Sequence, residues 1–395
     1  MVIPHSAFRI IREETLVKVE DLEVALNQIA PPKLAAEWDN IGLLIGDRDA
    51  TLRTAMLCID LTPAVLAEAR AAKADMVVAY HPPIFKPLAR VTAQATPVVY
   101  QAVRSGLAVY SPHTALDAVI GGTNDVLASV LGLKDAAPLE PVTQSGLCKI
   151  AAFVQPDNLQ AVAEAAWAAG GGHIGNYDRC SFQIRGQGTF RGLAGTNPTI
   201  GVTGKDEITE EVCLEMIAPL TAAPAVVAAM RNAHSYEEPA VDVYPLTDVP
   251  QGQGAGRVGQ LPKPASVDEL VRRVKKAIGL KNVLIARGEA TRKETAPTGR
   301  PARMSSRHVL AAVAAGSCGS MFKEAIRAGA TFYLTGEMRH HDLLAATQAG
   351  MTCVCVGHSN SERLTLKMLS ARIQEQLPKL KVVLSKADRD PLEFA

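Results

Sequence analysis

Between residues 55 and 79 the chain reads strand, helix, strand with almost nothing in between. Residues 55–61 (Ala-Met-Leu-Cys-Ile-Asp-Leu) form a short apolar run. Residues 62–72 are alanine-rich, with Thr62 as N-cap and Pro63 at the first helical position. Residues 75–79 are again short and apolar. Strands joined by one crossover helix lie parallel in a single sheet, and ligands of such sheets gather beyond the strands' carboxyl ends. This unit therefore sets an α/β fold class and says where to look for a site. Its second strand runs straight into Tyr80-His81-Pro82-Pro83-Ile84-Phe85. His81 stands at the strand end, and the double proline stiffens the turn behind it.

The pattern recurs. A helix over 97–105 and a strand over 108–110 lead into Ser111-Pro112-His113-Thr114-Ala115-Leu116-Asp117, and Gly121-Gly122-Thr123-Asn124-Asp125 opens a helix over 126–131. Near the other end, Cys353-Val354-Cys355-Val356 reads as a buried strand that Gly357 breaks. His358 and Glu362 follow, four residues apart, on one face of a first helical turn. Imidazole nitrogen and carboxylate oxygen at a strand end hold divalent metals, although His358, Glu362 and Asp117 also suit plain helix-capping roles. Delivery of His81, His113 with Asp117, and His358 with Glu362 by separate strand ends makes a shared metal cluster the better reading. The strand over 331–335 adds Gly336-Glu337-Met338-Arg339-His340-His341-Asp342 to the same rim. Gly316-Ser317-Cys318-Gly319-Ser320 resembles an anion-binding turn but lacks the lysine and spacing of one, and reads as a close strand-to-helix turn.

A chain of 395 residues exceeds one typical core, so two or three domains are expected. The middle of the chain reads as strand (149–154), helix (159–169), paired strands (180–184 with 188–192), strand (211–217), helix (222–233) and strand (241–244). That order is close to a ferredoxin-like α+β sandwich. The expected division is a first core part at 1–145, an inserted domain at 146–250 and a second core part at 251–395. The tail around 379–388 adds an edge strand. A net charge of +1 points neither to nucleic acid nor to an anionic membrane. Seven cysteines without a CxxC pair argue for a reducing compartment, and residues 1–16 do not read as a secretory signal. No apolar stretch reaches the roughly 18–20 residues of a membrane span. Cytoplasmic localisation is the expectation.

Taken in order, the His81 motif, the His113–Asp125 cluster, residues 335–342 and Gly357-His358-Ser359-Asn360-Ser361-Glu362 resemble the NIF-three-like family. It is also called the GTP cyclohydrolase type two, or dinuclear-metal-centre hexamer, family. The resemblance runs from about residue 19 to 390 and includes Gly172-His173-Ile174-Gly175-Asn176-Tyr177 and Tyr236-Glu237-Glu238-Pro239 of the insert. It implies a NIF-three-like α/β core built from N- and C-terminal parts, an insert of PII/CutA-like fold, and a homohexameric toroid. It also implies two divalent ions per subunit (zinc, iron, manganese or nickel) on His81, Asp117, His358 and Glu362. Many members carry His-His-Pro where this chain has Tyr80-His81-Pro82, so one histidine is missing, and the resemblance leaves either a weaker second metal site or a phenolic oxygen from Tyr80 in its place.

The chemistry implied is metal activation of water on a small, nucleotide-type substrate, opening the GTP ring with release of formate. Glu337 would act as general base or orient a ligand histidine, with His341 near the substrate. The competing reading is a metal-stabilised ring that binds partners or effectors without turnover, through residues 234–238.

Overall fold

Ala55 and Leu57 pack into one core and Met56 and Cys58 into another, on opposite sides of the same short strand. That two-residue alternation, with apolar residues at every position, is what a strand covered on both faces requires. The Thr54–Cys58 strand lies parallel to Met76–Ala79, and Met76–Ala79 parallel to Ala108–Ser111. Gly42–Ile45 pairs antiparallel at one edge and Lys381–Leu384 parallel at the other, so the expected edge strand near the C-terminus is present. Helices Val19–Ile29 and Thr365–Gln376 supply Leu22, Leu26, Leu366 and Ile373 to one face. Helices Pro63–Ala71 and Pro97–Arg104 supply Val65, Leu66 and Ala102 to the other.

A second sheet has the spatial order Leu284–Ala286, Thr352–Cys355, Phe332–Thr335, His308–Ala314, Arg257–Ala265, Lys134–Ala137, with its middle strands parallel. Val313, Phe332, Leu334 and Val354 face helices Thr123–Leu131 and Val267–Ile278. Ala312, Tyr333 and Cys353 face Phe322–Arg327 and His340–Gln348. Both sheets belong to one compact unit, residues 1–142 with 252–395.

The computed structural model describes residues 16–142, 144–247, 252–289 and 307–393. Residues 1–16 and the stretch 287–307, whose polar, proline-containing sequence reads as a loop, lie almost wholly outside the described residues. Among the described residues no helix is long and apolar enough to cross a membrane.

Residues 143–251 form the second unit. Helices Leu159–Ala168 and Ala223–Ala233 bury Val162, Val226 and Met230 against Ile150, Leu214 and Met216 of a four-stranded antiparallel sheet. Its spatial order is Val241–Thr247, Gln144–Val154, Asp206–Pro219, Phe182–Arg191. Here one expectation is corrected. Residues 180–184 and 188–192 are not two paired strands; Phe182–Arg191 is a single strand paired throughout with Asp206–Pro219. Gly186 and Gly188 do not turn the chain. Gly188 makes room for a neighbour instead, since a Cβ there would stand 2.2 Å from Glu211 Oε2.

Candidate metal centre

The Met76–Ala79 strand delivers His81 by continuing its ladder past the strand end. Tyr80 N donates to Cys58 O (2.9 Å) and His81 N to Ile59 O (3.0 Å). The imidazole is then aimed from the neighbouring strand end: His81 Nδ1 donates to Asp60 Oδ1 at 2.9 Å. Nε2 is left facing Glu362 Oε2, 3.5 Å away.

The second sheet repeats this construction. After Thr352–Cys355, Val356 N and Gly357 N donate to Thr335 O and Gly336 O (3.1 and 2.9 Å). Gly357, at φ +91°, turns the chain into the His358–Glu362 helix. His358 Nδ1 donates to Glu337 Oε1 at 2.9 Å, and its Nε2 lies 3.2 Å from Glu362 Oε1. One ligand atom each from His81, His358 and Glu362 lies within 4.8 Å of the others.

These residues fit a divalent ion. Glu362 is buried, yet its Oε2 accepts no hydrogen bond and has only His81 Nε2 near it, at 3.5 Å, and a buried carboxylate oxygen without a hydrogen bond is costly. Each imidazole spends Nδ1 on a carboxylate and presents Nε2, the arrangement by which proteins fix the tautomer of a ligand histidine. Gly316 completes the cradle: a Cβ there would stand 2.7 Å from Glu362 Oε1 and 3.4 Å from His358 Nε2. The donor set of nitrogen and oxygen suits zinc and its first-row neighbours.

Electrostatics agree. Burial pulls the His81 pKa down, but the Asp60 and Glu362 carboxylates outweigh it and push it to about 10. Glu362 chiefly, against burial and with help from Glu337, raises His358 to about 9. An ion taking both Nε2 atoms displaces a proton from each ring. Metal binding near pH 7 is therefore expected to release protons, with affinity climbing as pH rises towards 9. Calorimetry in buffers of different ionisation heat reads this, and identical heats in every buffer would contradict it. In chelated protein the raised values stabilise the fold fully below the ordinary 6.5, and that stability is lost as pH climbs through about 9 to 10.

Asp117 stands apart from the three converging donors. It lies on the short helix His113–Ala118, and its Oδ1 accepts the Tyr80 hydroxyl, which also meets Thr123 Oγ1 at 3.1 Å. Burial first, then the Glu362 charge, raises the Asp117 carboxyl to about 6. Burial and the same carboxylates push the Tyr80 phenol well above its usual value, so it stays a donor to Asp117. Glu337 sits on His358. His341 is exposed beside His340, their ring centroids 5.4 Å apart, and makes no hydrogen bond to the three donors among the described residues.

The sequence profile of Duf34/NIF3 (NGG1p interacting factor 3) matches residues 17–391. The chain belongs to the Duf34/NIF3 family. Among its relatives, a GTP cyclohydrolase 1 type 2 homolog of Halalkalibacterium halodurans is 34% identical over 372 residues, covering 92% of this chain and 95% of the relative. NIF3-like protein 1 of Bos taurus is 29% identical, covering 93% and 90%. A Bacillus cereus protein related to NIF3 superposes with a TM-score of 0.64 at 30% identity, covering 96% of this chain and all of that one. A Staphylococcus aureus protein shares the fold, with a TM-score of 0.73 at 22% identity, over 96% and 99% of the two chains.

In this Duf34/NIF3 chain, sequence reasoning passed over Asp60, which was counted inside a strand running to residue 61. The strand ends at Cys58. The available signal was a carboxylate two residues before the Thr62 cap, at a strand end next to that of His81. Asp60→Asn keeps the shape but offers Nδ1 a weaker partner, so metal affinity is expected to fall about 10- to 100-fold. Metal titration of the variant against wild type checks this; equal affinities would remove Asp60 from the site.

Proposed function

We propose that this protein is a metal-dependent hydrolase acting on a small nucleotide-type molecule, with GTP the first to test. Its metal ligands are His81, His358 and Glu362, with Asp117 alongside. The observation that carries the reading is the convergence of two carboxylate-oriented imidazoles on the buried Glu362 carboxylate, His358 Nε2 facing Oε1 and His81 Nε2 facing Oε2, which accepts no hydrogen bond. Divalent ions held by such donors supply Lewis-acid activation of water.

The chain's own residues bind and orient. Asp60 and Glu337 hold the imidazoles, and Glu337 is exposed enough to take a proton from a reacting group beside them. A cavity of about 410 Å³ lined by Ser317, Ser320, Glu337 and Arg339 opens along the same side. Arg339 has no ion-pair partner among the described residues, which supports a role in taking an anionic group of the substrate. His341, on the helix that Arg339 caps, remains a proposed substrate neighbour.

Three converging donors support one ion. A second ion, as the family resemblance implies, would draw on Asp117, whose Oδ1 accepts the Tyr80 hydroxyl. A homohexamer is proposed from the resemblance and is tested by the solution mass. A ferredoxin-like reading of the second unit is supported by its strand order, fourth-first-third-second in space, with helices after the first and third strands.

A second reading, effector binding without turnover, has one observation in its favour. The second unit holds a largely apolar cavity of about 560 Å³ that includes Phe153, Ile184, Phe190, Glu211 and Tyr236. Formate release from GTP, measured with full-length protein as purified and after reloading with zinc or manganese, separates the two. Metal-dependent release that is lost in His358→Ala supports the hydrolase. Metal-loaded protein inert towards GTP and other nucleotides favours the effector-binding reading.

A further inference from the structure

Beside the metal centre two large aromatic side chains stand in solvent. Trp38 is 61% exposed and Phe85 47%, with ring centroids 5.8 Å apart and planes 52° from parallel. Single exposed aromatics need no explanation. These two are neighbours, and the loop that carries Trp38 is tied down on both flanks. Ala36 N donates to Thr114 Oγ1 (3.0 Å), and Asn40 Nδ2 donates to Ile84 O (2.6 Å), next to Phe85. The Asp39 side chain is buried, and its Oδ1 accepts from Asn40 N and His113 Nδ1, both at 2.8 Å.

The same anchor places Trp38 against the site. Its ring meets His113 edge-on, with centroids 6.1 Å apart, and His113 in turn meets His81 at 5.2 Å. His113 also carries a positive φ of +25°. Non-glycine residues keep such a backbone only where surrounding bonds enforce it, a pattern that clusters at functional sites. Two preorganised rings left open and continuous with the metal centre are built to receive something flat.

We propose that Trp38 and Phe85 form a platform on which a planar heteroaromatic ring of the substrate, of nucleobase type, lies beside the metal centre. The inference rests on the reading of that centre as the place of reaction and adds the part of the substrate recognised there. Recognition by stacking tolerates different bases, because every base has a π face. Guanosine and adenosine should therefore both bind, and ribose 5-phosphate should not depend on the platform.

The test uses full-length protein and calorimetric titration with guanosine, adenosine and ribose 5-phosphate, with metal content measured on each sample. Trp38→Leu is expected to weaken guanosine roughly 10- to 100-fold. Phe85→Leu should weaken it less, Trp38→Phe should retain part of the affinity, and metal content should not change in any of them. In a Trp167→Phe background, guanosine should quench Trp38 emission. The proposal is overturned if wild type does not bind guanosine, or if Trp38→Leu binds it as tightly as wild type. It is equally overturned if the variants alter only the assembly state, for the rings then cover a contact between copies of the chain. Guanosine binding through Trp38 in a protein that holds no metal would sink the hydrolase reading and leave the platform standing. Metal-dependent turnover indifferent to Trp38 would do the reverse.

Discussion

Gly316→Ala is expected to lower metal affinity by about 100-fold while the fold persists. Gly316 sits at φ +69°, where a side chain is strained whatever the space. Strain alone costs about 1 kcal/mol. The larger effect is steric, because the added Cβ would stand 2.7 Å from Glu362 Oε1. That carboxylate is buried and cannot swing away freely. Nor can the backbone retreat: Gly316 N donates to Ser361 Oγ (2.8 Å), and Gly316 O accepts from Glu337 N (3.2 Å). Gly350→Ala is the control, since it has φ +86° and nothing within 4 Å of the added atom. It should lose similar stability and no metal. Equal metal affinity in the two variants would show that the Gly316 cradle is not part of the site.

Arg257→Ala is expected to destabilise the first unit by about 3–5 kcal/mol, the range for breaking a buried ion pair. Arg257 is 1% exposed, and its guanidinium is saturated. Nε and Nη2 donate to the two Asp125 oxygens at 2.8 Å each. Nη1 donates to Gly254 O and Gly256 O (2.6 and 2.7 Å), and Nη2 also reaches Val119 O (3.2 Å). Truncation leaves the Gly254, Gly256 and Val119 carbonyls buried without this donor and the partly buried Asp125 charge without its cation. Lysine cannot replace a planar fork, so Arg257→Lys should recover only part of the loss. Urea unfolding followed by Trp38 in a Trp167→Phe background reports the first unit. A loss below about 1 kcal/mol would mean the pair is as weakly stabilising as a surface one.

The residues that follow from local pattern were legible in the sequence. His81, His358 and Glu362 stand where short apolar runs stop, and a strand end in an α/β sheet is where such groups meet. The βαβ unit, the strand ends and the edge strand near residue 381 follow from the same periodicity. What escaped the reading depends on groups far apart in the chain. Asp60 is freed to reach His81 because the strand stops early, and Ile59 N donates instead to Asp388 Oδ2, 329 residues away (2.7 Å). Asp39 and His113 pair across 74 residues, and neither local context marks them as partners. Residues 180–184 and 188–192 read as two short strands, and only the partner strand Asp206–Pro219, which pairs with Phe182–Arg191 throughout, shows that they are one. Tyr80 was read as an alternative ligand, and its bond to Asp117 becomes visible only when the Thr123–Leu131 helix is packed against it.

Metal content per chain tests most directly whether His81, His358 and Glu362 hold a metal ion. Elemental analysis of protein purified without chelator should find at least one first-row divalent ion per chain in wild type and a sharp loss in His358→Ala. No metal in either protein, or equal metal in both, would contradict the account.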